Sequence, residues 1–268
     1  MVMCYGAQVW GGEEHDEVEK LQRYFLKKLY KLPNNTPNYM LFLETSSQPL
    51  YNYTLRLHVN YLNKVLNQSP DRLTNFLAKI IIENKLSWYK ALLVQAGKYN
   101  LEISVSLLMD RHLRWLKDFI GKLCEQQATI LQEKVINSEF HKQYKCLDLA
   151  GGSRYINDSS NFHLIQTIFR VRGELLELNY QPWKRDRIFM CSLCNMNVNE
   201  DTYHFVSVCP VLKEFRLRSF GKKRLEWQEY IDILNGNNDV NSLNNLYKYV
   251  RDAYSYRKML CSEFNYNN

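Results

Sequence analysis

Four residues in the last third of the chain have the types and the spacing of a metal site. Cys191, Cys194, His204 and Cys209 form the pattern Cys-x2-Cys-x9-His-x4-Cys. Cysteine thiolates and imidazole are preferred zinc ligands, and four of them fill a tetrahedral shell. Because no coordination position is then left for a water molecule, the pattern predicts a structural zinc ion (Zn2+) and not a catalytic one.

Two other interpretations of these residues remain open. One is that the cysteines are ordinary reduced thiols and that His204 is a hydrogen-bonded surface residue. The other is a redox pair at Cys191 and Cys194, although such a pair usually opens a helix after a strand, and no alternating strand and helix pattern surrounds it. Zinc is favoured because all four ligand residues occur in order within nineteen residues.

Positive charge is concentrated around the same segment. The chain carries a formal net charge of +7, and residues 181–225 hold nine basic residues against four acidic ones. Such a surface suits phosphate backbones, so we predict contact with RNA or DNA, with a merely solvated basic face as the simpler alternative. The predicted contact residues are Arg170, Arg172, Lys184, Arg185, Arg187, Lys213, Arg216, Arg218, Lys222, Lys223 and Arg224. The aromatic residues between them are expected in the core more than on base-stacking platforms; they are Trp183, Phe189, Phe205, Phe215 and Trp227.

The elements that position these residues are predicted to be helices. The chain has only 10 Gly and 6 Pro, so chain breaks are scarce. Apolar residues at 18, 21, 25, 29 and 32 recur at intervals of three and four, which predicts an amphipathic helix closed by Pro33. Further helices are expected after Thr36-Pro37 and Ser69-Pro70, around 50–65 and 113–123, and then at 161–172, 211–220, 224–234 and from 243.

The fold class is therefore mainly α, a multi-helix array followed by a small zinc-knuckle segment and C-terminal helices. Residues 150–160 are the densest cluster of loop formers in the chain. They predict a linker between a helical domain at 1–149 and a zinc-knuckle region with flanking helices at 161–268.

Several classes of protein are disfavoured by composition. No apolar run approaches the roughly 18 residues of a membrane span, so no membrane partner is expected. The seven cysteines are odd in number and four are scattered without framework spacing, which favours a reducing compartment, the nucleus or the cytoplasm. A free-standing enzyme with a small-molecule substrate is the least favoured class, because no activated nucleophile, paired carboxylates or phosphate-binding glycine loop is present.

Two parts of the chain resemble non-LTR (LINE-like, jockey-type) retrotransposon reverse transcriptases. Residues 5–10 (YGAQVW), 21–26 (LQRYFL) and 32–37 (LPNNTP) are similar to the segment that follows the polymerase palm in that family. Residues 169–174 (FRVRGE), the Cys-Ser-Leu-Cys knuckle, and the run from His204-Phe205 to Cys209-Pro210 and Arg216 are similar to its C-terminal zinc-knuckle region. The resemblance spans residues 4–70 and 165–220.

The resemblance implies a part of such a protein without its catalytic centre. The family's polymerase chemistry needs paired aspartates to hold two metal ions, and this chain has no Asp-Asp dipeptide. The expected function is thus a non-catalytic, thumb-side and C-terminal fragment that grips RNA or DNA. A truncated element copy and a retained, domesticated gene remain open. The alternative function is a helical protein-protein interaction module whose zinc is architectural.

Overall fold

The computed structural model describes residues 4–98, 100–149, 154–181, 189–236 and 241–263. The expectation of a mainly α fold is confirmed, since the described residues form helices and no β-strand, with one isolated antiparallel bridge between Met190 and Asn199. No helix in these ranges has the length and apolar character to cross a membrane. In chain order the α-helices are α1 Ala7–Trp10, α2 Asp16–Leu29, α3 Asn38–Thr45, α4 Leu50–Leu66, α5 Leu73–Glu83, α6 Ser87–Gly97, α7 Val105–Met109, α8 Arg114–Ile136, α9 Arg154–Asp158, α10 Phe162–Arg172, α11 Lys213–Phe220, α12 Trp227–Asn235 and α13 Ser242–Glu263.

The chain divides into two compact units. Unit 1 comprises Met1–Phe25 and Ser47–Gln132, and unit 2 comprises Leu26–Ser46 and Glu133–Asn268. This division differs from the predicted boundary at 150–160, because the early segment Leu26–Ser46 belongs to the same unit as the C-terminal half. Two of the three dividing points lie within helices α2 and α8, where no loop-forming residues mark them, and the third lies between α3 and α4.

Helix α4 lies at the centre of unit 1. Its residues Leu55, Val59 and Leu62 are buried and recur at intervals of three and four, as in an amphipathic helix. They pack in one cluster with apolar residues of α5, α6, α7 and α8. The side chain of Asn75 on α5 donates to the carbonyl groups of residues 65, 66 and 68 at 3.2, 3.0 and 3.1 Å. Since these carbonyl groups lie at the end of α4, where no further turn of helix follows, Asn75 fixes α5 to that end.

Helix α10 lies at the centre of unit 2. The side chain of Asn161 accepts hydrogen bonds from the backbone N–H groups of residues 163 and 164, which explains why the helix begins there. Its apolar residues are buried in one cluster with residues of Leu26–Ser46, α12 and α13. Ile168 and Phe169 are completely buried. The predicted helix at 161–172 is thereby confirmed within one residue.

A buried ion pair ties the early segment of unit 2 to this helix. The Nε of Arg172 lies 3.0 Å from both carboxylate oxygens of Glu44. The hydroxyl of Tyr155 donates to the same carboxylate at 2.6 Å, and the guanidinium of Arg172 also donates to the carbonyl of Leu234. Tyr155 lies in α9, inside the stretch 150–160 that the sequence predicts as an exposed linker, and it is buried. The linker prediction is therefore wrong for residues 154–158, while residues 150–153 lie outside the described ranges.

Candidate metal centre

Cys191 and Cys194 lie on a short hairpin. The N–H of Cys191 donates to the carbonyl of Val198 at 2.9 Å, and the bridge between Met190 and Asn199 lies beside it. Asn197 has a φ of 52°, which lets the chain reverse tightly between the two arms. The hairpin places both sulfur atoms on one side of the turn that follows Cys191.

His204 and Cys209 lie at the two ends of a single π-helical turn, His204–Val208. The N–H of Cys209 donates to the carbonyl of His204 at 2.8 Å, and the turn begins where the carboxylate of Asp201 accepts from the N–H of His204 at 2.7 Å. Pro210 begins the next helical turn and ends the π-type pattern. Isolated π-turns inside helical segments often mark functional sites, and this one brings two predicted ligands toward one point.

The four predicted ligands meet. Their ligand atoms all lie within 4.8 Å of one another, and the Cys194 sulfur is 3.5 Å from Nε2 of His204. A tetrahedral zinc site with bonds of about 2.3 Å places its sulfur atoms about 3.8 Å apart, so the group is within about 1 Å of that arrangement. Cys191, His204 and Cys209 are buried, and Cys194 is half-buried. The group can hold a metal ion, and three thiols with one imidazole are a donor set that suits a soft or borderline divalent ion.

The three thiols differ in acidity. A hydrogen bond to Cys209, together with burial, raises the pKa of Cys191 to about 12. Burial also raises the pKa of Cys194, whereas the hydrogen bond received from Cys191 lowers the pKa of Cys209. At neutral pH the metal-free site therefore keeps protons on Cys191 and Cys194. A metal ion bound by all three sulfur atoms has to displace these protons.

A buried ion pair lies directly behind Cys191. Glu200 is fully buried, and its carboxylate oxygens lie 2.8 Å from Nε and 2.6 Å from Nη2 of Arg257 on α13. The Cys191 sulfur is 3.8 Å from Oε1 of Glu200. The backbone N–H of Asn179 donates to the same carboxylate at 3.0 Å, and its side chain accepts from Arg257 at 3.0 Å. Glu200 and Arg257 could not be predicted from the sequence, because nothing local marks a Glu and an Arg 57 positions apart as partners.

A second buried arginine, Arg216, contacts the π-turn that carries His204 and Cys209. Arg216 is only 1% exposed and donates to the carbonyl of Cys209 and, at 2.8 Å, to the carbonyl of Lys223. Its Nη1 also lies 3.5 Å from the hydroxyl of Tyr249, which in turn donates to the carbonyl of Phe205 at 2.6 Å. Arg216 therefore joins the π-turn to the loop at residues 221–226.

The predicted nucleic-acid contacts separate into three groups. Lys213, Arg218, Lys222, Lys223 and Arg224 are exposed, and the side chain of Arg170 is partly exposed and lies 4.0 Å from Glu177. Arg172 and Arg216 are buried and hydrogen-bonded inside unit 2, so their prediction as surface contacts is wrong. Lys184, Arg185 and Arg187 lie outside the described residues.

The aromatic residues of this region are mostly in or against the core. Phe205 is buried, and Phe215 is partly buried and packs on the cluster that contains it, as expected from the sequence. Trp227 differs, because it is 40% exposed while one edge contacts the ring of Tyr203. It follows directly after the exposed basic loop at residues 221–226. Trp183 lies outside the described residues, and Phe189 contacts Tyr180.

Fold and site together define a mainly α protein with a Cys3His group that can hold a metal ion. Comparisons of the chain with protein-family models, curated proteins and solved structures returned no significant match.

Proposed function

We propose that the protein is a non-catalytic, zinc-stabilised helical module that binds RNA or DNA, and that it corresponds to the C-terminal part of a protein resembling non-LTR retrotransposon reverse transcriptases. Zinc is the proposed ion because three thiolates and an imidazole saturate its tetrahedral shell. A thiolate site requires reduced cysteines, so we place the protein in the nucleus or the cytoplasm. Substitution of Cys194 by Ser is expected to abolish stoichiometric zinc binding, measured by elemental analysis of the purified protein.

One observation carries the nucleic-acid part of the proposal. The exposed basic residues Lys222, Lys223 and Arg224 lie in a loop that is fastened to the metal-binding segment at two points. The N–H of Leu225 donates to the carbonyl of Ser207 at 3.1 Å, and the Arg216 side chain donates to the carbonyl groups of both Cys209 and Lys223. A metal ion that orders the π-turn would therefore also order the basic loop, and a preorganised basic surface binds phosphates with a smaller entropic cost.

The exposed Trp227 adds a surface on which a base can stack. It lies next to the basic loop, and its contact with Tyr203 fixes the ring. Stacking of a base on an aromatic side chain contributes about 1–3 kcal/mol and is tolerant of sequence. This arrangement favours single strands over duplexes.

The test is the salt dependence of binding. Each phosphate contact contributes a slope of about −0.9 in log K against log [salt] on duplex DNA and about −0.7 on single strands. Replacing Lys222, Lys223 and Arg224 by Gln should weaken binding at low salt and, if all three contact phosphates, reduce the slope by about 2–3. Fluorescence anisotropy with labelled single strands and duplexes measures both quantities.

A matched control neutralises three exposed lysines of unit 1. Lys64, Lys85 and Lys117 are exposed, so their replacement by Gln removes the same charge at a distance in sequence from the metal segment. We expect the control to lower affinity much less than the loop variant. If both variants lose the same amount of nucleic-acid affinity, the loss is due to the lower net charge and not to the loop. Absence of nucleic-acid binding by the unmodified protein at low salt would refute the proposal.

A protein-protein interaction module is the second candidate, and one feature of unit 1 favours it. Helix α5 packs inward through Asn75 and Ala78, yet its Leu73, Phe76 and Leu77 are 68%, 56% and 47% exposed. Adjacent exposed apolar residues on one helix face are typical of a surface that another protein covers. Two results together would favour this function over the first. The protein would not bind nucleic acid, and replacing these three residues by Ser would abolish binding of a protein partner.

A further inference from the structure

We propose that Arg257 on α13 is a positioning residue of the metal centre. It holds the carboxylate of Glu200 against Cys191 and balances the negative charge of that carboxylate when Cys191 binds metal as a thiolate. The inference rests on the metal site proposed above and goes beyond it, because it makes the last helix part of the site.

The contact between Arg257 and Glu200 is buried and two-pronged. Arg257 binds Glu200 through two hydrogen bonds of 2.8 and 2.6 Å, and both side chains are almost completely buried. Asn179 donates to Glu200 and accepts from Arg257, so the pair has neighbours on two sides. A two-pronged guanidinium and carboxylate contact of this kind fixes orientation as well as distance. Glu200 is thus held in one position beside Cys191.

The negative charge of Glu200 lies close to the Cys191 sulfur. The Cys191 sulfur lies 3.8 Å from Oε1 of Glu200. As a metal ligand Cys191 is a thiolate, and two negative charges this close together in a buried site repel each other strongly. The Arg257 guanidinium is bound to the same carboxylate and offsets its charge. Without Arg257, the uncompensated carboxylate of Glu200 would repel the Cys191 thiolate that binds the metal.

Helix α13 also contacts the π-turn, which carries the other two candidate ligands, His204 and Cys209. Tyr249, two turns before Arg257, donates to the carbonyl of Phe205 in the π-turn and contacts Arg216, which holds the carbonyl of Cys209. One helix therefore supports the hairpin through Glu200 and the π-turn through Tyr249. Because the same contacts position α13 and the ligands, metal binding and the packing of α13 should be thermodynamically coupled.

The experiment is a charge cycle in the full chain, with Co2+ as the spectroscopic probe and a competing chelator to measure its affinity. Arg257→Met should lower Co2+ affinity by about 10- to 100-fold, the usual range for residues that orient metal ligands. Glu200→Gln should leave the affinity unchanged or raise it. The double variant should recover to within about threefold of the unmodified protein, because the unbalanced charge is gone.

Two controls separate positioning from general stability. Arg251→Met removes an exposed arginine of the same helix, which pairs only with its neighbour Asp252 among the described residues, and should not change Co2+ affinity. Arg257→Lys keeps the charge and should recover part of the affinity and the sulfur-to-cobalt charge-transfer absorption. In the unmodified protein, metal addition should slow amide hydrogen exchange in α13.

Each result decides the matter. A tenfold or larger loss in Glu200→Gln, or a double variant as weak as Arg257→Met, would overturn the charge role of Arg257. Equal affinity in Arg257→Met and the unmodified protein would overturn the inference as a whole. Should Arg257→Met fail to fold, the Glu200→Gln variant and the double variant still decide the charge role. Failure of the unmodified protein to bind Co2+ or zinc would instead refute the proposed metal site.

Discussion

The buried pair of Glu44 and Arg172 gives the sharpest test of how unit 2 is stabilised. Removing one partner of a buried ion pair leaves an uncompensated charge and costs about 3–5 kcal/mol. Both side chains are almost inaccessible to water, so solvent cannot replace the lost partner. Glu44→Leu and Arg172→Leu should therefore each lower the free energy of unfolding by about 3–5 kcal/mol.

The double variant separates the charge from the packing. Replacing both members by Leu removes both charges, but the hydroxyl of Tyr155 and the carbonyl of Leu234 lose hydrogen bonds, at about 1–3 kcal/mol each. We expect a total loss of about 2–6 kcal/mol, whereas the sum of the single variants is about 6–10 kcal/mol. The midpoints of these ranges differ by about 4 kcal/mol, which is the coupling expected for the pair.

Urea-induced unfolding, followed by far-UV circular dichroism, measures these values. Asp252→Asn breaks the exposed contact with Arg251 and serves as the control, with no expected change in the midpoint. Additive effects of the two Leu substitutions would refute the reasoning, because they would mean that the charges of Glu44 and Arg172 do not interact in the folded protein.

Three further predictions concern single groups. Asn75→Ala should lower the unfolding free energy of unit 1 by about 1–3 kcal/mol, measured by urea unfolding, because it removes the hydrogen bonds that this side chain donates to the carbonyl groups of Leu66 and Gln68. Tyr249→Phe should likewise cost about 1–3 kcal/mol through the carbonyl of Phe205, and it should also accelerate amide exchange in the π-turn. Because the pKa values of Cys191 and Cys194 are raised, metal binding releases their protons near neutral pH, so the logarithm of the metal affinity should fall by at least about 2 for each unit of pH decrease, and by more if Cys209 also carries a proton; an affinity independent of pH would contradict this.

Local patterns in the sequence were sufficient to predict most of the described helices and the grouping of the four candidate ligands. The helix predicted at 161–172 corresponds to α10, and the structure adds that the side chain of Asn161 caps its first turn. The four ligands lie within nineteen residues, so their convergence depends mainly on one hairpin and one helical turn. Both are local structures, and local chemistry determines them.

Burial of charged residues could not be predicted in the same way. Arg172 and Arg216 carry the same side chain as the exposed Arg218 and Arg224, and the difference lies in the partners that the fold brings to them. The partner of Arg172 is 128 positions away. A basic residue is expected at the surface unless such a partner is known.

The apolar period of α2 was also misleading about its environment. It correctly predicted a helix, but Leu21 and Phe25 on that face are 49% and 55% exposed, whereas Leu26 is buried. The helix belongs to unit 1 up to Phe25 and to unit 2 from Leu26, so no single buried face continues along it. Periodicity determines the type of element more reliably than the face that is covered.

The discontinuous make-up of unit 2 has a consequence for protein synthesis. Glu44 leaves the ribosome 128 residues before Arg172, a delay of roughly 6–26 s at about 5–20 residues per second. Throughout that interval the nascent chain carries the apolar residues Met40 and Leu41 without the later residues that bury them. Residues 47–132, by contrast, emerge as a continuous block that can fold against itself. In the growing polypeptide, the apolar residues of the segment Leu26–Ser46 therefore wait for residues after Gln132 before they can be covered as in the folded unit.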